Sequence, residues 1–295
     1  MLLRIVALIF LSLVLLGCQS SSKQVTDTQH LNEIEGNYLP ENRIIFAVPG
    51  EDKVTFLGLH DGNDAIEAGS MLYMADAGLV GLIAQVATHA AVIDSARDSK
   101  LAEAQSSANK SIQSLISATE KWKLSTLVGD SDIFAAEIDN SIQFKPTFFS
   151  DPQKKVLSMK SVIAVPSSLS EAKTSKDVIV YQNLISVFDH QLLPDDFHLD
   201  TDIERLELQM KRLLSLSLHI AKQELTGEYR QETQPKHYTY IVNNGLQQSV
   251  YRGYPVDEKC GYTVIRDLRS WLIAVPIDKE KSTSECFGST AAFAQ

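Results

Sequence analysis

The stretch Thr201–Gly227, TDIERLELQMKRLLSLSLHIAKQELTG, decides the fold class. Thr201-Asp202-Ile203-Glu204 has the form of a capping box, with a hydroxyl at the cap and a carboxylate three residues on. Ile203, Leu206, Met210, Leu213 and Ile220 then recur at helical spacing, and Leu208, Leu214, Leu216 and Leu218 add apolar surface on other sides. A helix this greasy is either buried or shared with a partner. Gly227 is the expected stop, because glycine accepts the left-handed conformation that ends helices.

On the C-terminal side the pattern changes to strands. His237–Val242 runs into Asn243-Asn244-Gly245, a strong hairpin signal. Gln247–Tyr254 returns as far as Pro255. Tyr262–Ile265 and Trp271–Val275 form a further pair, ended by Pro276, and residues 279–295 make a polar tail. On the N-terminal side Val178–Phe188 and Val156–Val165 read as strands, and Leu124–Phe149 as a mixed, short-ranged segment broken by Pro146. Residues 95–122 keep one apolar helical side. Arg43–Val48, stopped by Pro49-Gly50, and Lys53–Leu59 read as a hairpin. The expectation is an α+β fold, an antiparallel sheet with two or three long helices packed on one face. Ala-Val-Pro closes an apolar run three times, at 47–49, 164–166 and 274–276. Either a β-β-α unit is used twice, over 41–150 and 155–278, or proline is simply ending strands.

Residues 71–93 are almost wholly apolar or small. Ala77, Gly81, Ala84, Thr88 and Ala91 fall three or four apart and would make one helical stripe of small side chains. Such a stripe lets two backbones approach closely. It suits a tightly packed core helix, a self-association or partner-helix surface, or a membrane-inserted segment in which Asp76, Gln85 and His89 would be costly.

The first residues carry an address. Met1–Arg4 is a short positive start, Ile5–Leu16 is apolar apart from Ser12, and Leu15-Leu16-Gly17-Cys18 precedes a polar run. The apolar stretch is shorter than the roughly 20 residues a spanning helix needs and has the layout of a removable signal. It resembles the signal peptide and lipobox of bacterial lipoproteins. That resemblance implies removal of residues 1–17, acylation at Cys18, and a flexible tether over 18–40. Gln19 in place of Asp implies passage to the outer membrane. Two or more acyl chains hold a protein stably on a bilayer, where one does not.

The chain has 27 basic and 37 acidic residues, a net charge of −10, and removal of Arg4 with the leader makes it one unit more negative. That balance leaves no footprint for nucleic acid and opposes anionic lipid, so the expected membrane partner is reached through lipid alone. Cys260 and Cys286 are the cysteines besides Cys18, and in an oxidising envelope they read as one disulfide. It would close a loop of roughly 25 residues, worth about 3 kcal/mol in the chain-entropy picture.

Signals for chemistry are thin. Gly129-Asp130-Ser131 and Asp195-x-x-His198 look like the nucleophile and Asp/His blocks of SGNH esterases, which would make Ser131 the nucleophile, His198 the base and Asp195 its orienting acid. Gly62-Asn63-Asp64 echoes a third block, but it precedes the serine where that family places it after. His190, Asp195, Asp196 and His198 could make an N/O metal site of the kind zinc takes, or simply a polar loop before a helix. No cofactor fingerprint is present. These features favour a non-enzymatic envelope protein acting through an envelope partner or self-association. A periplasm-facing small-ligand module is the alternative, and an esterase-type hydrolase is third.

Overall fold

The computed structural model describes residues 38–50, 52–60, 102–129, 133–134, 141–169, 179–189, 199–230, 235–243, 245 and 248–277. The lipobox with Cys18, the 77–91 stripe, Ser131, His190, Asp195, Asp196, His198 and Cys286 lie outside them.

The fold is α+β. The strands are β1 (Phe46–Ala47), β2 (Phe56–Gly58), β3 (Ile142–Ser150), β4 (Leu157–Pro166), β5 (Ile179–Phe188), β6 (Tyr238–Asn243), β7 (Gln248–Lys259), β8 (Tyr262–Asp267) and β9 (Leu272–Pro276). The helices are α1 (Gln113–Thr119), α2 (Leu124–Val128) and α3 (Leu199–Thr226), and residues 102–111, just before α1, are also helical. All nine strands form one sheet in the order β1-β3-β4-β5-β9-β8-β7-β6, with β2 also on β3. Two antiparallel meanders, β3-β4-β5 and β6-β7-β8-β9, are joined by the parallel pair β5–β9, with α3 as the crossover between them.

Helix α3 begins at Leu199, two residues before the expected cap at Thr201, breaks at Asp202 (φ −112°, ψ 16°) within that expected box, and ends at Gly227 with φ +84°. Its surplus of leucines is absorbed within the chain. Leu206, Met210, Leu213, Leu214, Leu216, Leu218, Ile220 and Leu225 are all buried. The helix packs on β4 and β5 and against α1 and α2, while Val256, Cys260 and Tyr262 from the β7–β8 end join the same core. At about 1.5–3 kcal/mol per buried aliphatic side chain, this enclosure is the main apolar contribution to stability. Leu208 alone among those leucines stays exposed.

Strands β4, β5 and β9 are buried on both faces, which accounts for their near-continuous apolar runs. One face carries Phe144, Met159, Ile163, Ile185, Val264 and Ala274 toward the helices. On the other, Phe188, Ile265, Ile273 and Val275 cluster with Val242, Tyr240 and Tyr251. The first half of β7 pairs with β6 and the second half with β8, so β6 and early β7 form an arm folded over that second face. Phe188 and Tyr251 meet with ring centroids 5.8 Å apart. The arm tip docks on the β3–β4 turn: a side chain at Gly245 (φ +89°) would meet Asp151 and Val156 at 2.9 Å. Asp151 Oδ1 in turn accepts from the N–H groups of Lys155 and Val156.

Three local expectations are corrected. The 43–48 and 53–59 segments are not a hairpin, since β1 and β2 both run parallel to β3 along one edge. The chain between them leaves the sheet: Asp52 accepts from Ser125 N–H and Oγ, and Val54 N–H donates to Trp122 O. The 124–149 segment ends in a nine-residue strand, with Pro146 inside it. Ile142 N–H donates to Ile45 O and Phe148 N–H to Thr55 O. Alternation then points the Pro146 nitrogen into the gap between β1 and β2, where no donor is needed. Likewise β7 continues through Pro255, past the end of β6 and with a register shift between Pro255 and Asp257, so that the β7–β8 end can reach α3.

The β2 edge is sealed by side chains. Gly58 N–H donates to Asn109 Oδ1 at 2.9 Å, and Gln105 Nε2 donates to Gly58 O at 2.9 Å. A Cβ on Gly58 would stand 2.3 Å from Ala108 O. Gly58→Ala should therefore cost about 3 kcal/mol by overpacking, read as a lower midpoint in urea unfolding. A midpoint equal to the parent's would show that this edge is not close-packed.

Candidate functional site

Two places gather polar or exposed groups that the core does not require. The first lies under the C-terminal half of α3. Arg266 of β8 makes a two-pronged ion pair with Glu224 of α3, Nη1 to Oε1 at 3.0 Å and Nη2 to Oε2 at 2.6 Å. Both side chains are largely buried, at 15% and 10% exposure. Tyr181 Oη donates to Glu224 Oε1 at 2.6 Å, and Asn183 Nδ2 donates to Tyr181 Oη at 2.9 Å and to Ser270 O at 3.2 Å. Burial, and then the Glu224 carboxylate, hold the Tyr181 hydroxyl well above the usual phenol range. Burial works against the Arg266 charge, but Glu224 outweighs it and the guanidinium stays protonated. This arrangement locks helix to sheet, since every charge in it has an opposite partner.

Beside it, Tyr229 Oη donates to Asp257 at 3.3 Å, and burial followed by Asp257 pushes its hydroxyl upward. Lys259 Nζ lies 3.3 Å from His219 Nε2. An ammonium can only donate, so Nε2 accepts. Burial first, then Lys259, lowers the His219 pKa.

The second place is the arm. β6 is the last strand of the sheet. Its outer face shows Ile241 and Val250, direct cross-strand partners, at 61% and 65% exposure, and Tyr238 is 47% exposed. The sequence from His237 to Asn243 has no Lys, Arg, Asp, Glu or Pro. Edge strands are normally blunted by such residues, by bulges or by a cover. The β2 edge has its amide cover, but no such cover lies over β6 among the described residues.

Of the residues singled out in the sequence, Cys260 is buried at the β7–β8 turn with φ +56°. Its proposed partner Cys286, the triad Ser131, His198 and Asp195, the set His190, Asp195, Asp196 and His198, and the stripe Ala77, Gly81, Ala84, Thr88 and Ala91 lie outside the described residues. Among the described residues there is no group of three or more His, Cys, Asp or Glu that could hold a metal, and no helix long and apolar enough to cross a membrane. Sequence reasoning missed the Glu224–Arg266 pair because its members are 42 residues apart. It also passed over the β6 edge, although the uncharged run YTYIVN was visible. Comparison with protein-family models, curated proteins and solved structures finds no match.

Glu224→Ala should cost about 3–5 kcal/mol, because it strands a buried guanidinium. Replacing both partners, Glu224→Leu with Arg266→Met, should cost less than the single change in denaturant unfolding. A single variant within 0.5 kcal/mol of the parent, roughly the scale of a neutral surface change, would contradict the lock. The lowered His219 pKa favours its neutral form in the fold, so its contribution is complete above its ordinary value of 6.5 and is lost as pH falls below that. The fall in melting temperature on acidification below that value should be shallower in His219→Gln. An identical slope would show that His219 does not carry it.

Proposed function

We propose that this protein is a lipid-tethered component of the cell envelope that works by protein contact, with the β6–β7 arm as its contact surface. The observation that carries this is the contrast between the two sheet edges. One is sealed by Asn109 and Gln105 over Gly58, while β6 is uncharged, regular in register and flanked by exposed Ile241 and Val250. Such an edge offers backbone donors and acceptors to an added strand, a common route to protein recognition. The lipobox supports a tether through Cys18, and Gln19 supports the outer membrane as its destination. The small-residue stripe at 77–91 is a second contact surface under the same proposal.

A small-ligand module is favoured by one observation. Gln209 of α3 is buried at 2% exposure, and neither its Oε1 nor its Nε2 has a hydrogen-bond partner among the described residues. An idle buried amide costs about 1–3 kcal/mol, which a polar ligand reaching it would recover. On this reading Gln209→Leu loses any metabolite-induced thermal shift that the parent shows.

A photo-reactive residue at position 241 of the tethered chain, activated in living cells, tests the contact proposal. Cross-linked species should appear from position 241 and not from Leu208, an exposed apolar residue on α3. No adduct at 241 contradicts the arm as the working surface. Cys18→Ser should release the chain from the membrane fraction, and retention there would contradict the lipid tether.

A further inference from the structure

We infer that the occupant of the β6 edge is a second copy of this chain, joined by antiparallel β6–β6 pairing about a twofold axis. This inference rests on the contact proposal above and names its partner.

Self-complementarity carries it. An antiparallel pair has its local twofold axis normal to the sheet, so each residue faces one on the same side of the combined sheet. With the axis at Ile241, that residue meets its own copy. The β6–β7 register already sets Ile241 beside Val250, so the outer face gains a row Val250–Ile241–Ile241–Val250 across four strands. Each of these four side chains is more than half exposed in one copy and would lose water against the next. Cross-strand apolar pairs of this kind are the stabilising unit of a sheet.

Charge points the same way. In that register Thr239 of one copy faces Asn243 of the other. Thr239 stands beside Arg252 and Asn243 beside Gln248 in the existing hairpin. The flanking rows therefore read Arg252–Thr239–Asn243–Gln248, with one cation among neutral partners. The two Arg252 side chains lie in different rows, three strand spacings across and four residues along, about 20 Å apart, beyond the physiological screening length. The chain as a whole has a net charge of −10, yet 235–253 carries Lys236 and Arg252 and no acid. Two acidic bodies repel, and this is a place where they can meet without acid facing acid.

The arm needs no rearrangement. Its tip is seated on Asp151 and Val156, and its inner face on Phe188 and Ile273, so the edge is held ready for pairing. A joint of two strand edges is smaller than the roughly 1,200–2,000 Å² of a stable interface. It is weak in free solution and effective where a tether concentrates the chains.

Full-length chain from isotopically heavy and light preparations, mixed, placed together on membrane vesicles and cross-linked there from position 241, provides the test. The expected product joins the 235–243 segments of a heavy and a light copy. In sedimentation Ile241→Lys should weaken the dimer roughly tenfold or more, while Leu208→Lys leaves it unchanged. The cross-link map needs no charged variant, so it stands even if Ile241→Lys folds poorly. A link from 241 to a different protein overturns the second-copy inference and leaves the contact proposal standing. Monomer with no link from 241 overturns both.

Discussion

Enclosing α3 is the constraint on which the other features depend. Its apolar side chains cover more than half of its circumference, and no single neighbour can bury them. The sheet takes one side through β4 and β5, and α1 and α2 take a second. The β7–β8 end takes a third, where Val256, Cys260 and Tyr262 join the core. To supply that third side, β7 must outrun β6 and change register after Pro255. Once β7 is twelve residues long, its first half has no place in the flat sheet and crosses the second face with β6 as an arm. The Glu224–Arg266 pair then fixes the helix against β8. A buried pair of this kind sets geometry more than it adds net stability.

Local patterns made much of this legible. Gly227 ends α3 as expected, although the helix starts at Leu199, ahead of the expected cap, and Tyr262–Ile265 with Trp271–Val275 pair as expected in β8 and β9. The Asn-Gly signal marks the β6–β7 tip, with Gly245 N–H donating to Asn243 Oδ1. All three Ala-Val-Pro motifs stand at strand ends. What escaped depended on contacts distant in sequence. Pro146 hid β3, because its tolerance comes from the gap between β1 and β2. The parallel placement of β1 and β2 depends on Asp52 engaging Ser125, 73 residues away. The greasy face of α3 suggested a partner, but it is covered within the chain.

For function, the sequence drew attention to the lipobox and to the 77–91 stripe. The structure adds a surface with no motif: a neutral, regular edge strand whose Ile241 points outward beside Val250 of β7. It was passed over because YTYIVN is an ordinary strand until its position at the sheet edge is known. An edge of this kind invites uncontrolled pairing unless its partner is always near. A tether that holds copies together on one membrane would supply that condition.

Hydrogen exchange at β6 tests the central claim, that this edge is occupied when the protein is at work. The amides to follow are those of Tyr238–Asn243 that β7 does not engage. They should exchange slowly in the full-length chain at its density on membrane vesicles, and fast after dilution in detergent. Equally fast exchange in both would mean that the edge stays open to water, and would contradict the account.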